Sequence, residues 1–117
     1  MAQFEEFTID QGTDVSINIH VTDKNGSAKN LTNYSVAAKM KKSYSSDSDS
    51  TFAFTGNIDT PTTKGIAIIS MTNSQTDAIP SGRYLYDVEL SFTDSGNNTV
   101  IERILEGRIN VTPSVTK

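Results

Sequence analysis

The sequence predicts an all-β sandwich of about seven antiparallel strands with one short helical turn before the sixth strand. Every second residue from Tyr84 to Phe92 is apolar or aromatic, which is typical of a strand half-buried against another layer. Turn residues occur every eight to twelve residues along the chain, which is the spacing expected for the short strands of a sandwich. The one helical signal is brief, so helices do not form a layer of this fold.

The N-terminal half supplies three predicted strands. Residues 4–9 alternate weakly and predict either an edge strand or a free arm. Residues 15–21 alternate cleanly, and they end before Asn25-Gly26, a dipeptide that favours a tight turn. Residues 34–41 place one alternate set of side chains inward. The predicted inward residues of these strands are Val15, Ile17, Ile19, Val21, Val36, Ala38 and Met40.

Residues 43–50 predict a polar loop, because they are almost entirely serine and aspartate. Asp47 and Asp49 could suggest calcium, but the loop lacks the longer ligand series and the glycine of a calcium-binding loop. Residues 51–55 then predict a short strand with two phenylalanines on one face.

Residues 65–72 are apolar on both faces, which indicates a strand covered on both sides. Either Ile69 and Met71 or Ile66 and Ile68 must face away from the core of a two-layer domain. The second cover for this strand is then expected to come from another chain.

Thr72 and Gln75 have the spacing of a capping box, so residues 73–79 predict one or two helical turns that end at Pro80. Residues 93–98 predict a hairpin loop, and residues 99–111 the return strand. Gly107 predicts a bulge where the strand changes parity.

Composition excludes several classes of function. The 117 residues can fill one core, and the absence of cysteine excludes disulfides and thiolate sites. A net charge of −4 argues against a nucleic-acid partner, which requires a basic footprint. The N-terminus lacks a signal-peptide pattern and no apolar run is long enough to span a membrane, so we expect a soluble protein made in the cytoplasm.

The segment around Tyr84 resembles the corner before the sixth strand of immunoglobulin-like domains, in which a tyrosine hydrogen-bonds back to the preceding corner. Tyr86 stands where disulfide-bearing members have a cysteine, which departs from the antibody-type pattern and not from the fold. The resemblance implies an immunoglobulin-like β-sandwich.

Four segments, residues 23–36, 72–79, 82–89 and 106–113, are together similar to small tailed-phage virion proteins, and specifically to the N-terminal domain of phage baseplate upper proteins. The resemblance implies a structural role in a virion, either as capsid decoration or within the tail or baseplate. It implies no catalytic residues.

Residues with catalytic potential lack partners. His20 is the only histidine, and we expect it on the polar face of its strand. Asp87 and Glu89 share one strand face at a spacing that a glycosidase could use, but nothing in the sequence desolvates one of them to raise its pKa. We therefore predict a non-enzymatic protein without a cofactor or metal.

Surplus apolar side chains predict a protein interface, because a two-layer domain cannot cover all of them. The candidate interface residues are Phe4, Phe7, Ile69, Leu85 and Ile104, with Leu105 as the alternative to Ile104. The N-terminal segment is also expected to add a strand to a neighbour.

The sequence thus predicts an arm or edge strand over residues 1–14, a sandwich over 15–112 and a tail over 113–117. We expect a homo-oligomeric capsid decoration or cement protein of a virion, contacting other virion proteins, among which the major capsid protein is one candidate. A tail or baseplate component is the nearest alternative. A carbohydrate-binding adhesion module that uses Tyr34 and Tyr44 is the other.

Overall fold

The computed structural model describes residues 3–42 and 51–114, with the side chain of Gln3 excepted. The described strands form two sheets, and one short helix lies in the connection between them. In chain order the elements are β1 (Gln3–Asp10), β2 (Val15–His20), β3 (Ser35–Lys41), β4 (Thr51–Ala53), β5 (Thr55–Ile58), β6 (Ile66–Met71), α1 (Asn73–Asp77), β7 (Gly82–Thr93) and β8 (Thr99–Thr112). A 3₁₀ turn, Thr62–Lys64, precedes β6.

One sheet has the order β1-β8-β7-β3-β4 and the other has the order β2-β6-β5. This is the arrangement of an immunoglobulin-like sandwich. The hairpin of β7 and β8 lies inside the larger sheet, between β1 and β3. The predicted all-β immunoglobulin-like fold is therefore confirmed. The pairing of β1 with β8 is parallel, whereas the other strand pairs are antiparallel.

The described strands number eight, one more than predicted. The additional strand is β5, whose sequence, Thr-Gly-Asn-Ile, contains two residue types that are rare in strands. The chain leaves the larger sheet after β4 and enters the smaller one at β5, with Phe54 buried at the crossing. Position 56 requires glycine because the backbone of β3 passes close to it. A Cβ there would lie 2.2 Å from the carbonyl oxygen of Val36.

The core lies between the sheets and is built around β7. The burial of β7 alternates strictly from Tyr84 to Leu90, as its sequence predicts. Apolar side chains from both sheets pack against this strand. The buried members of the main cluster include Ile9, Ala38, Met40, Phe54, Ile69, Met71, Tyr84, Tyr86, Val88, Leu105, Ile109 and Val111.

The capping box before α1 forms as predicted. The backbone N–H of Gln75 donates to Thr72 Oγ1 at 3.3 Å, and the backbone N–H of Thr72 donates to Gln75 Oε1 at 2.8 Å. The tyrosine corner forms as well, since the Tyr84 hydroxyl donates to the carbonyl oxygen of Pro80 at 2.6 Å. These local devices fix the direction in which the chain enters β7.

The bulge in β8 falls at Ile104 and not at Gly107, so that prediction was wrong. Val88 is opposite Leu105 while Glu89 is opposite Arg103, which leaves Ile104 as the extra residue. Glycine is required at position 107 for a different reason. Its φ is 154°, and a Cβ there would lie 1.9 Å from the carbonyl oxygen of Glu5. Gly107 therefore allows β1 to pair beside β8.

Candidate protein-interaction surface

The five-stranded sheet has an outer face, which consists of the side chains that point away from the smaller sheet. This outer face carries an open groove of about 330 Å³. The groove crosses β3, β7 and β8. The residues that line it are Ala37, Ala38, Lys39, Lys41, Leu85, Tyr86, Asp87, Glu89, Arg103 and Glu106.

Ion pairs organise one wall of the groove. Arg103 Nε lies 3.4 Å from Asp87 Oδ2, and Arg103 Nη1 lies 3.5 Å from Glu106 Oε2. All three side chains are more than a third exposed, so each pair contributes no more than about 1 kcal/mol. Among the described residues, Lys39 and Glu89 form no ion pair and so remain available to a partner.

Two large apolar side chains stand exposed on the outer face. Phe4 is in register with Glu106 and is 62% exposed, while Ile101 is in register with Ser91 and is 61% exposed. Leu85, on the same face, is half-buried and contributes to the floor of the groove. Leu85 thus points outward, as the alternation of β7 predicts, and the role of Phe4 and Leu85 in an interface stays a prediction.

Sequence reasoning missed Ile101 as an exposed residue. It shares sequence parity with Leu105, which is buried, and the same parity predicts that it faces inward. The bulge at Ile104 reverses the alternation, so Ile101 points outward. The signal that could have revealed this is the change of parity within β8, which the sequence places at the wrong residue.

Ile69 is not an interface residue, and that prediction was wrong. Its side chain is fully buried between the sheets, because β6 turns Ala67, Ile69 and Met71 inward. Ile66 and Ile68 occupy the opposite face of β6 and are half-buried. The alternative that placed these two residues outward is the one that the structure shows.

Phe7 and Ile104 contribute to the core more than to a surface. The Phe7 ring lies 5.5 Å from the Tyr86 ring, and Phe7 packs against the main core cluster. Ile104 packs against both hydrophobic clusters of the domain. Both side chains are half-buried, so each is a weaker interface candidate than Phe4.

Tyr86 connects the core to β1. Its hydroxyl donates to the carbonyl oxygen of Glu5 at 2.9 Å, across the position where Gly107 has no side chain. Burial raises the pKa of the Tyr86 phenol above its usual value, and the negative charge of Glu5 adds to the effect. The N-terminal strand is thus held by a partly buried hydrogen bond as well as by the β8 ladder.

The catalytic and metal candidates have the surroundings of surface residues. His20 is exposed at the end of β2, and Asp87 pairs with Arg103 on the half-exposed outer face. Within residues 3–42 and 51–114, no group of three or more histidine, aspartate or glutamate side chains could hold a metal ion. Asp47 and Asp49 lie outside the described residues. In the described part of the chain, no helix has the length and apolar character needed to cross a membrane.

Of the two tyrosines predicted for carbohydrate binding, Tyr34 lies within the described residues. Tyr34 is half-buried, with its ring 4.8 Å from the Phe92 ring and Lys29 Nζ 5.5 Å from its centre. These contacts occupy the aromatic surface that a sugar would need. Tyr44 lies outside the described residues.

A scan against protein-family models found no match, and a search of curated proteins found none either. Among solved structures, the chain is similar to murine CRIg, with 18% identity, a TM-score of 0.48 and 92% of each chain covered. It is also similar to AggA, the major subunit of aggregative adherence fimbriae type I from Escherichia coli, with 11% identity, a TM-score of 0.44 and coverage of 92% of this chain and 89% of that chain. The sheet order and the tyrosine corner of this chain are those of an immunoglobulin-like sandwich.

Proposed function

We propose that the protein is a non-enzymatic structural protein of a phage virion, which decorates or cements the capsid through protein–protein contacts as a homo-oligomer. The observation that carries the proposal is the exposure of Phe4 and Ile101 on the outer face, which also carries the groove that contains Leu85. Large apolar side chains on one face of a sheet favour a protein contact, because covering them removes apolar surface from water.

The mixed charges of the outer face support a protein partner over nucleic acid. Lys39 and Lys41 stand on β3, while Asp87 and Glu89 stand on the adjacent strand β7. A polyanion would meet carboxylates here as well as lysines, whereas a protein surface can match both signs. The similarity of four chain segments to tailed-phage virion proteins supplies the choice of a virion as the assembly.

The proposal is tested by binding to particles. Virions stripped of this protein are incubated with labelled protein and sedimented, and we expect saturable recovery with the particles. The double variant Phe4→Ser/Ile101→Thr should bind at least ~10-fold more weakly, which corresponds to ~1.4 kcal/mol. Val100→Thr is the matched control, because Val100 is 38% exposed but belongs to the opposite face of the same strand.

Two results would contradict the proposal: isolated protein that stays monomeric and does not bind stripped particles, or a double variant that binds as well as the control. Placement in the tail or baseplate is the nearest alternative. Gold-labelled antibody against the protein, applied to intact particles, separates head from tail directly.

A further inference from the structure

The outer edge of β1 is open. β1 is the last strand of its sheet, and no strand of the described residues pairs with its second side. Its backbone alternates between the two sides, because successive peptide groups of a strand point in opposite directions. Glu5 points its carbonyl towards β8, since that oxygen would collide with a Cβ on Gly107. Phe4, Glu6 and Thr8 therefore direct their N–H and C=O groups to the open side.

The chain segment that contains β1 is acidic. Residues 3–20, which comprise β1, the following turn and β2, contain Glu5, Glu6, Asp10 and Asp14 but no lysine or arginine. The whole chain has fourteen acidic and ten basic residues, so the residues outside this segment contain ten of each sign. Residues 3–20 therefore carry four negative charges that no lysine or arginine of the same segment balances.

The carboxylates of β1 form no ion pair with another described residue. Arg108 is the register partner of Glu6 on β8, yet the two side chains form no ion pair within 4.0 Å. A strand that approaches β1 therefore meets the carboxylates of Glu6 and Asp10 beside backbone groups that pair with no described strand.

These two features select the occupant of the edge. If two copies paired through β1, the Glu6 and Asp10 carboxylates of both copies would share one face of the joined sheet, and like charges that come opposite each other are destabilising. A strand with basic side chains is attracted instead, while the backbone groups form the same ladder for any sequence. The exposed Phe4 ring offers an apolar contact at the beginning of the strand.

We propose that the open edge of β1 receives an extended segment of another virion protein, with lysine or arginine on the face that carries Glu6 and Asp10 and an apolar residue beside Phe4. The identity of the donor as a virion protein rests on the proposed function. The edge and its preference for a basic strand rest on the structure of this chain alone.

A capped eight-residue peptide of alternating lysine and valine is a suitable probe. Its binding to the full-length protein is measured by fluorescence anisotropy at low and physiological salt. We expect binding that weakens as salt screens the charges, with a Debye length of ~8 Å at physiological ionic strength. A matched peptide of alternating glutamate and valine should not bind.

Proline substitution separates ladder formation from attraction by charge. Thr8→Pro removes an N–H that points to the open side, a position at which edge strands tolerate proline. It should weaken peptide binding ~10-fold or more, whereas Thr8→Val keeps the N–H and should change binding less than ~2-fold. Hydrogen exchange at Phe7 and Ile9, whose amides point to β8, verifies that β1 remains docked. Glu6→Pro compared with Glu6→Gln repeats the test at the next free amide.

The outcomes are distinct. Equal binding by Thr8→Pro and Thr8→Val would overturn the proposal, because the peptide would then be held by charge alone. Self-association of the wild-type protein at neutral pH that Thr8→Pro abolishes would overturn it in favour of a second copy. Particle binding without peptide binding would refute the edge site and leave the proposed function standing. Peptide binding without particle binding would refute the virion donor and the proposed function, and leave the edge site standing.

Discussion

Replacing Gly107 with alanine should displace β1 from the sheet. An alanine Cβ would lie 1.9 Å from the carbonyl oxygen of Glu5, whereas real Cβ contacts are essentially never closer than 3.0 Å, so β1 must retreat by at least 1.1 Å. A backbone hydrogen bond of ordinary length, ~2.9 Å, does not survive that increase. The φ of 154° adds strain, because residues other than glycine rarely adopt it.

The expected cost follows from these two effects. Strained backbone costs ~1–3 kcal/mol, and each ladder hydrogen bond contributes ~0.5–1.5 kcal/mol. We therefore expect Gly107→Ala to lower the free energy of unfolding by about 3 kcal/mol or more, measured by urea denaturation. Hydrogen exchange should show faster exchange at Phe7 and Ile9, and smaller changes in β6 and β7.

Gly96→Ala is the matched control, because Gly96 lies in the exposed hairpin turn and its Cβ would be 3.2 Å from the flexible side chain of Asn98. It should change the free energy of unfolding by less than ~0.5 kcal/mol. The reasoning is refuted if both alanine variants unfold at the same urea concentration while the β1 amides of Gly107→Ala stay protected.

Three further substitutions test the polar contacts of the fold. Tyr84→Phe removes the 2.6 Å hydrogen bond to the Pro80 carbonyl and should cost ~1–2 kcal/mol in urea denaturation; a wild-type midpoint would contradict a structural role for the corner. Tyr86→Phe should make the free energy of unfolding less dependent on pH in the alkaline range than it is in the wild type. The raised pKa of Tyr86 means that the folded state holds its proton while the unfolded state loses it above pH ~10, so wild-type stability falls as pH rises through that range. Thr72→Ala removes the hydroxyl that accepts a hydrogen bond from the Gln75 N–H, and it should lower the free energy of unfolding by ~1 kcal/mol. Thr72→Ser keeps the hydroxyl and should retain most of that stability.

The sequence determined the features that depend on neighbours along the chain. Alternation from Tyr84 to Leu90 specified the central strand, because side chains of a strand repeat every two residues. The capping box and the tyrosine corner were also readable, since each bond joins residues three or four positions apart. These local patterns were enough to predict the layers of the sandwich and the face on which Leu85 lies.

The tertiary structure decided the features that depend on distant contacts. It placed β1 parallel to β8, and it turned Ile69 inward and Ile66 outward. It also set the bulge at Ile104, which turned Ile101 to the surface. A sequence that is apolar on both faces, or that changes parity, fits two orientations equally well. Only the packing of the second sheet and the approach of β1 select one of them, because burial is a property of the assembled layers and not of a single strand.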